Sequence, residues 1–148
     1  MKILVAGKSG QVATELILEG EQSLHEVISF GRDKLDIRKA DQVKQCITEI
    51  KPDIVINAAA YTAVDKAEED SDQAYAINRD GAQHLAESCK AQGIPFIHIS
   101  TDYVFDGSHP TPYDEDDPVS PLGVYGQSKW AGEEVVRAII NEHIILRT

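Results

Sequence analysis

Apolar residues along this chain gather into short runs that alternate with helical stripes. Ile3-Leu4-Val5-Ala6 suits a parallel strand buried on both faces, and Gly7 and Gly10 interrupt the run before Val12, Leu16 and Ile17 take up helical spacing. Glu26 to Phe30 predicts a second strand, and Leu35-Asp36-Ile37 a short third one. A helix from about Lys39 carries Val43, Cys46, Ile47 and Ile50 at i, i+3, i+4 and i+7. Lys51-Pro52 ends it, because the residue before proline avoids helical angles. Asp53 to Asn57 is the next buried strand. The stripe Ala74, Ile77, Asn78, Gly81, Ala82, Leu85 and Cys89 predicts another helix, stopped at Gly93 and followed by a strand over Pro95 to Ile99. Four of the six prolines fall within 109–121, which predicts a loop, and a helix from about Val124 to Asn141 leads into a last strand over Ile144 to Arg147.

This unbroken alternation predicts an α/β fold: a doubly wound parallel sheet, Rossmann-like, with right-handed crossovers and strand order 3-2-1-4-5-6. The 148 residues fit a single domain, 1–148. In such a sheet ligands sit beyond the carboxyl ends of the strands. The unusual residues collect there: Gly7 to Gly10, Arg32, Asp36, Asn57 to Thr62, and Ser100 to Gly107 each follow a predicted strand.

The net charge of -11 disfavours nucleic acid and anionic membrane surfaces as partners, since both require a cationic footprint. No run approaches the roughly 18 apolar residues of a membrane span, and the first apolar run is too short for a signal peptide core. The expectation is a cytoplasmic protein. Cys46 and Cys89 lie on apolar helix faces without a nearby Cys or His, which predicts buried reduced thiols. His25, His84, His109 and His143 form no ligand pattern, and His98 within a strand reads as a core residue. The acidic run Tyr113 to Asp117 lacks the glycine and spacing of a calcium loop, so the residue pattern predicts no metal site.

The turn Gly7-x-x-Gly10-x-x-Ala13 would let backbone approach a pyrophosphate, with the free N–H groups of the following helix favouring its charge; short glycine turns also arise for structural reasons alone. Gly31-Arg32-Asp33 supplies both signs of charge where a dinucleotide fold recognises the adenine ribose. Arg32 suits a 2'-phosphate and favours NADPH, while Asp33 leaves NADH open. Asp36 is either an acceptor for an adenine amino group or a solvated turn residue. The small residues of Asn57-Ala58-Ala59-Ala60-Tyr61-Thr62 leave room for a nicotinamide ribose or for tight packing, and Asn78 reads as a structural clamp. Tyr125 and Lys129, at i and i+4, project about 40° apart on one helix face, where lysine charge lowers a phenol's pKa. Thr101, after the fifth predicted strand, could hold a carbonyl undergoing reduction.

Together GKSGQVA, NAAAYTAVDKAE, INRDGAQHLA, STDYVFDG and YGQSK resemble the extended short-chain dehydrogenase/reductases, and among them the dTDP-4-dehydrorhamnose reductases, over the whole chain. The resemblance implies an NADP-dependent oxidoreductase of nucleotide-sugar biosynthesis that takes dTDP-4-dehydro-L-rhamnose, a sugar nucleotide, to dTDP-L-rhamnose. It implies pyrophosphate contacts at Gly10, Gln11 and Val12, adenosine contacts at Arg32, Asp36 and Ile37, and nicotinamide contacts at Ala60, Tyr61 and Thr62. Thr101, Tyr125 and Lys129 match the catalytic set, Tyr125 and Lys129 also reaching the cofactor, and Thr101 and Asp102 face substrate. Some members bind magnesium through glutamates at a homodimer contact, and Glu15 matches one such position; by residue type alone it is an exposed helix glutamate. Ala13 departs from the family's third glycine. Such reductases also continue for roughly as many residues again, so the chain is expected to be the cofactor-binding half, without the substrate domain and with little turnover alone. Two alternatives stay open: a non-catalytic NADP-binding subunit similar to the beta subunit of methionine adenosyltransferase, and another sugar-nucleotide reductase or epimerase.

Overall fold

A computed structural model describes residues 1–148. Five parallel strands, β1 (Lys2–Ala6), β2 (Glu26–Phe30), β3 (Ile54–Asn57), β4 (Phe96–Ser100) and β5 (His143–Arg147), form one sheet in the order β2-β1-β3-β4-β5. The helices are α1 (Gln11–Glu21), α2 (Ala40–Ile50), α3 (Val64–Ala67), α4 (Ser71–Tyr75), α5 (Gly81–Gln92) and α6 (Val124–Ile139), and a π-helical turn, Ala76–Asp80, joins α4 to α5. Their ends follow local chemistry. Lys51, left-handed at φ 51°, closes α2 with its N–H on Ile47 O, and Gly93 at φ 65° closes α5.

Alternation along the strands sorts the core into two layers. Leu4, Ala6, Val55 and Phe96 pack beneath α2, α5 and α6, whereas Val5 and Ile56 meet Ala13 of α1 on the opposite face. Handedness explains the division. The chain moves one way from β1 to β2 and the other way in every later crossover, so right-handed connections put α1 alone on its face. Ile144 and Leu146 of edge strand β5 remain about half exposed, at 54% and 46%.

The expected third strand, Leu35 to Ile37, does not form, and the order 3-2-1-4-5-6 is corrected accordingly. A parallel neighbour needs a crossover of a dozen or more residues, and only Gly31 to Lys34 separate Phe30 from Leu35. Leu35 and Ile37 instead bury their side chains in the larger core, and the Asp36 N–H donates to the Gln42 side chain at 3.1 Å rather than to a ladder. Removing that strand and renumbering gives the observed order, so the doubly wound α/β class stands. β1 now sits between β2 and β3, and the chain leaves β1 and β3 toward opposite faces. A crevice opens at that switch point, beyond the carboxyl ends.

Candidate active site

The crevice is a cleft of about 460 Å³ lined by Gly7, Gly10, Arg32, Asp36, Ile37, Ala60 and Thr62, among the residues singled out in the sequence. Gly7 adopts φ 120°, and a Cβ there would stand 3.1 Å from the Ala58 carbonyl carbon, so the close approach of the chain leaving β1 to the chain leaving β3 requires glycine. A Cβ at Gly10, the N-cap of α1, would meet nothing within 4 Å. The free N–H groups of the first turn of α1 therefore border open space, an arrangement suited to an anion.

Arg38 also lines the cleft, and the sequence reading had not singled it out. Its Nε and Nη2 donate to Asp36 Oδ1 and Oδ2 at 2.8 and 2.6 Å, and its Nη1 donates to Gln73 Oε1 at 2.9 Å. That bidentate hydrogen bonding holds the Asp36 carboxyl down to about 2. Asp36 is thus a buried, clamped acceptor and not a solvated turn residue. Arg32, whose Nε is 3.8 Å from Asp36 Oδ2, keeps 70% of its side chain exposed and is free to take another anion. Gln11 and Val12 do not line the cleft with their side chains; they occupy the exposed first turn of α1. Tyr61 does not line it either. Its hydroxyl donates to Asp70 Oδ2 at 3.3 Å, and its backbone is held by Asn78.

A second cavity, of about 370 Å³, is lined by Val64, Asp102, Tyr103, Phe105, Tyr125 and Gly126, among others. The start of α6 is pressed against the short turn Asp102–Val104: a Cβ at Gly126 would lie 2.2 Å from Tyr103 O, and the Tyr125 ring meets the Tyr103 ring edge-on at 5.5 Å. Burial pushes the Tyr125 phenol up, the neighbouring Thr101 hydroxyl offsets part of the rise, and Asp102 and Tyr103 add to it. Tyr125 therefore keeps its proton at neutral pH. The expected lowering by Lys129 is not found. Lys129 is 2% exposed and its Nζ donates to Ile99 O at 2.6 Å; burial brings it down to about 8, with Glu133 pulling the other way. Thr101, also buried, donates to Asp102 Oδ1 and accepts from the Tyr103 N–H, both at 3.3 Å.

The model of the RmlD substrate binding domain family matches residues 1–148. The chain belongs to this family. It is 46% identical over 148 residues to a dTDP-4-dehydrorhamnose reductase of Sinorhizobium fredii, covering 100% of this chain and 50% of that one. Among solved structures it is similar to a dTDP-4-dehydrorhamnose reductase of Clostridium acetobutylicum, with a TM-score of 0.96 at 42% identity over 99% of this chain and 52% of that one. The corresponding reductase of Bacillus anthracis, solved in complex with NADP, gives a TM-score of 0.95 at 40% identity, with the same coverage of 99% and 52%. The chain thus spans about half the length of these relatives, and the resemblance read from its motifs is borne out.

In this RmlD-family domain the residues behind the two cavities are tied together by buried polar groups. Glu133, fully buried one turn after Lys129, accepts from Ser100 Oγ at 2.6 Å, from Arg147 Nε at 2.9 Å and Nη2 at 2.8 Å, and from Arg137 Nη2 at 2.8 Å. Burial alone would raise its pKa, but the Arg147 and Ser100 hydrogen bonds and the two guanidinium charges outweigh it and hold the carboxyl low. Glu133 so fastens α6 to β5 and to the residue before Thr101. Its signal in the sequence was a carboxylate on the apolar stripe, four residues after Lys129. Asn78, in the π-helical turn, accepts from Tyr61 N at 2.8 Å and donates to Tyr61 O at 3.2 Å and to Ser128 Oγ at 2.9 Å, so it is a structural clamp, though on the Tyr61 loop and α6 and not on the sheet. Asn57 Nδ2 donates to His98 Nδ1 at 3.0 Å, so the ring proton lies on Nε2; burial, aided by the Lys129 charge, keeps His98 neutral. Cys89 is a buried thiol pushed up to about 12, and Cys46 is half-buried and unpaired. Glu15 stands exposed on α1, and no three His, Cys, Asp or Glu side chains are grouped to hold a metal ion. No helix is long and apolar enough to cross a membrane.

Proposed function

We propose that the protein built on this domain reduces the 4-keto group of dTDP-4-dehydro-L-rhamnose with NADPH, giving dTDP-L-rhamnose. The observation that carries the reading is the position of Tyr125. This proton-retaining phenol opens on one cavity, with Asp102, while the dinucleotide-type cleft lies across the same segment: Thr62 lines the cleft and Val64 the cavity. The cleft residues fit the cofactor. The N–H groups at Gln11 and Val12, over the space left by Gly10, would take the pyrophosphate, and Arg32 the 2'-phosphate. Asp36, fixed by Arg38, and Ile37 would bound the adenine, with Ala60 and Thr62 on the nicotinamide side and Tyr61, its ring turned to Asp70, entering only as the backbone link between them.

Bound NADPH supplies the hydride. Tyr125 gives its proton to the carbonyl oxygen as negative charge develops there, a contribution of ~10² to 10⁴ in rate. Thr101 orients that oxygen from the end of β4, and Asp102 holds a substrate hydroxyl. Lys129, cationic at neutral pH, would turn from the Ile99 carbonyl to bond the nicotinamide ribose. The reading takes a sugar nucleotide as partner and the cytoplasm as compartment.

The test follows cofactor oxidation with dTDP-4-dehydro-L-rhamnose, using this domain joined to a complete second half of a relative, with NADPH affinity measured in parallel. Turnover of ~1 to 10³ per second supports the reading. Tight NADPH binding without turnover would overturn it in favour of a non-catalytic NADP-binding subunit.

A further inference from the structure

The helix that carries Tyr125 and Lys129 begins without a cap of its own. Gly123 occupies the N-cap position of α6 and has no side chain to accept from the free N–H groups of the first turn. The missing acceptor comes from 56 positions earlier in the chain. Glu68, exposed at the end of α3, accepts from the Val124 N–H through Oε1 at 2.8 Å, and its carboxylate faces the positive end of the helix. Glycine is what admits it, since a Cβ at Gly123 would stand 2.9 Å from Glu68 Oε1.

We propose that Glu68 is a positioning residue: a remote N-cap that sets where α6 begins, and so where Tyr125, its second residue, presents the phenol. The consequence for catalysis rests on the role proposed above for Tyr125; the cap itself does not. Glu68 belongs to the segment that starts at Tyr61, on the nicotinamide side of the cleft, and passes through Val64 on the wall of the second cavity. Asn78 makes a second tie one turn along α6, joining the Tyr61 backbone to Ser128. With two ties, at Val124 and Ser128, the segment 61–68 and the start of α6 move as one body. Cofactor seated against Ala60 to Thr62 therefore bears on the same framework that aims the phenol.

The experiment is amide hydrogen exchange and side-chain NMR on the 148-residue chain, comparing wild type with Glu68→Ala, Glu68→Gln and Gly123→Ala. In Glu68→Ala the amides of Val124 to Gln127 should exchange about fivefold faster, the loss expected when a helix cap is removed, and the Tyr125 ring resonances should shift against Tyr103. Amides of β3 should not change. Glu68→Gln retains the accepting oxygen and should restore both signals, whereas Gly123→Ala should reproduce the loss by displacing the carboxylate. With a complete second half attached, Glu68→Ala should lower kcat several-fold at unchanged KM for NADPH, and Glu68→Gln should recover it. Unchanged exchange at Val124 in Glu68→Ala, or no rescue by Glu68→Gln, overturns the proposal. Full turnover in Tyr125→Phe would defeat the catalytic role of Tyr125 while leaving the exchange result to stand or fall separately.

Discussion

Replacing Glu133 by glutamine should destabilise the domain by ~3 kcal/mol at pH 7 while changing almost no volume. All four hydrogen bonds into this carboxylate come from Ser100, Arg137 and Arg147, and no part of Glu133 reaches solvent. Glutamine keeps one acceptor, enough for Ser100 Oγ and Arg147 Nε. Its amide NH₂ would then face the Nη2 groups of Arg147 and Arg137, donor against donor. Arg137 is 41% exposed, so its arm is worth at most ~1 kcal/mol. Arg147, 14% exposed, loses the buried countercharge, a change that typically costs ~3 to 5 kcal/mol. The low end applies because Arg147 keeps the Glu115 carbonyl at 3.2 Å and the faces of Phe105 and Trp130 at 5.0 and 5.8 Å. For a chain of this size that amounts to about 10 °C in Tm. Urea unfolding followed by Trp130 fluorescence measures it, as a lower midpoint at constant m. The pH dependence has a definite sign. The folded-state pKa of Glu133 is depressed, so its contribution is whole above the unfolded value of 4.5 and is lost as pH falls through the folded one. The gap between wild type and Glu133→Gln should therefore be flat from pH 6 to 8 and shrink in acid. A loss under ~1 kcal/mol at pH 7, or a gap indifferent to acid, would refute the reasoning.

Arg32→Ala should reduce the preference for NADPH over NADH in calorimetry, because the exposed guanidinium is the group left free for a 2'-phosphate; an unchanged preference would assign it elsewhere. In the protein with a complete second half, Tyr125→Phe should lose ~10²-fold or more in kcat with cofactor affinity within a few-fold, as stopped-flow and binding measurements would show. Lys129→Met should abolish turnover yet raise stability at pH 7 by ~1 to 3 kcal/mol, net of the lost bond to Ile99 O. The sign follows from a folded pKa of about 8 against 10.5: the cost of burying the ammonium is full below pH 8 and is relieved toward 10.5, so the advantage of methionine should fade across that window. A variant less stable than wild type at pH 7 would contradict it.

Most of the fold was legible in the sequence because it is written in local periods. Glu26 to Phe30 reads as a strand and forms one with those bounds; the stop at Lys51-Pro52 and the glycine at 93 sit where α2 and α5 end. The glycine turn at Gly7 and Gly10 and the spacing of Tyr125 and Lys129 were equally visible, since chain geometry over a few residues determines which side chains share a turn or a face. Leu35 to Ile37 misled for the opposite reason. An apolar-polar-apolar triplet marks burial without saying against what, and the four-residue link that forbids a parallel neighbour is a constraint on topology. The contacts that tune the site were decided by tertiary structure alone: Arg38 on Asp36, Lys129 on the Ile99 carbonyl, Arg147 and Ser100 on Glu133, Glu68 on Val124. Apart from the first, these join residues 14 to 56 positions apart, or, for Arg38, two positions within an irregular loop. Neither case has a period for a pattern to report. A side chain's identity states what it can bond, but burial and approach, which set whether Tyr125 keeps its proton and where the charge of Lys129 is directed, exist only once distant segments are packed together.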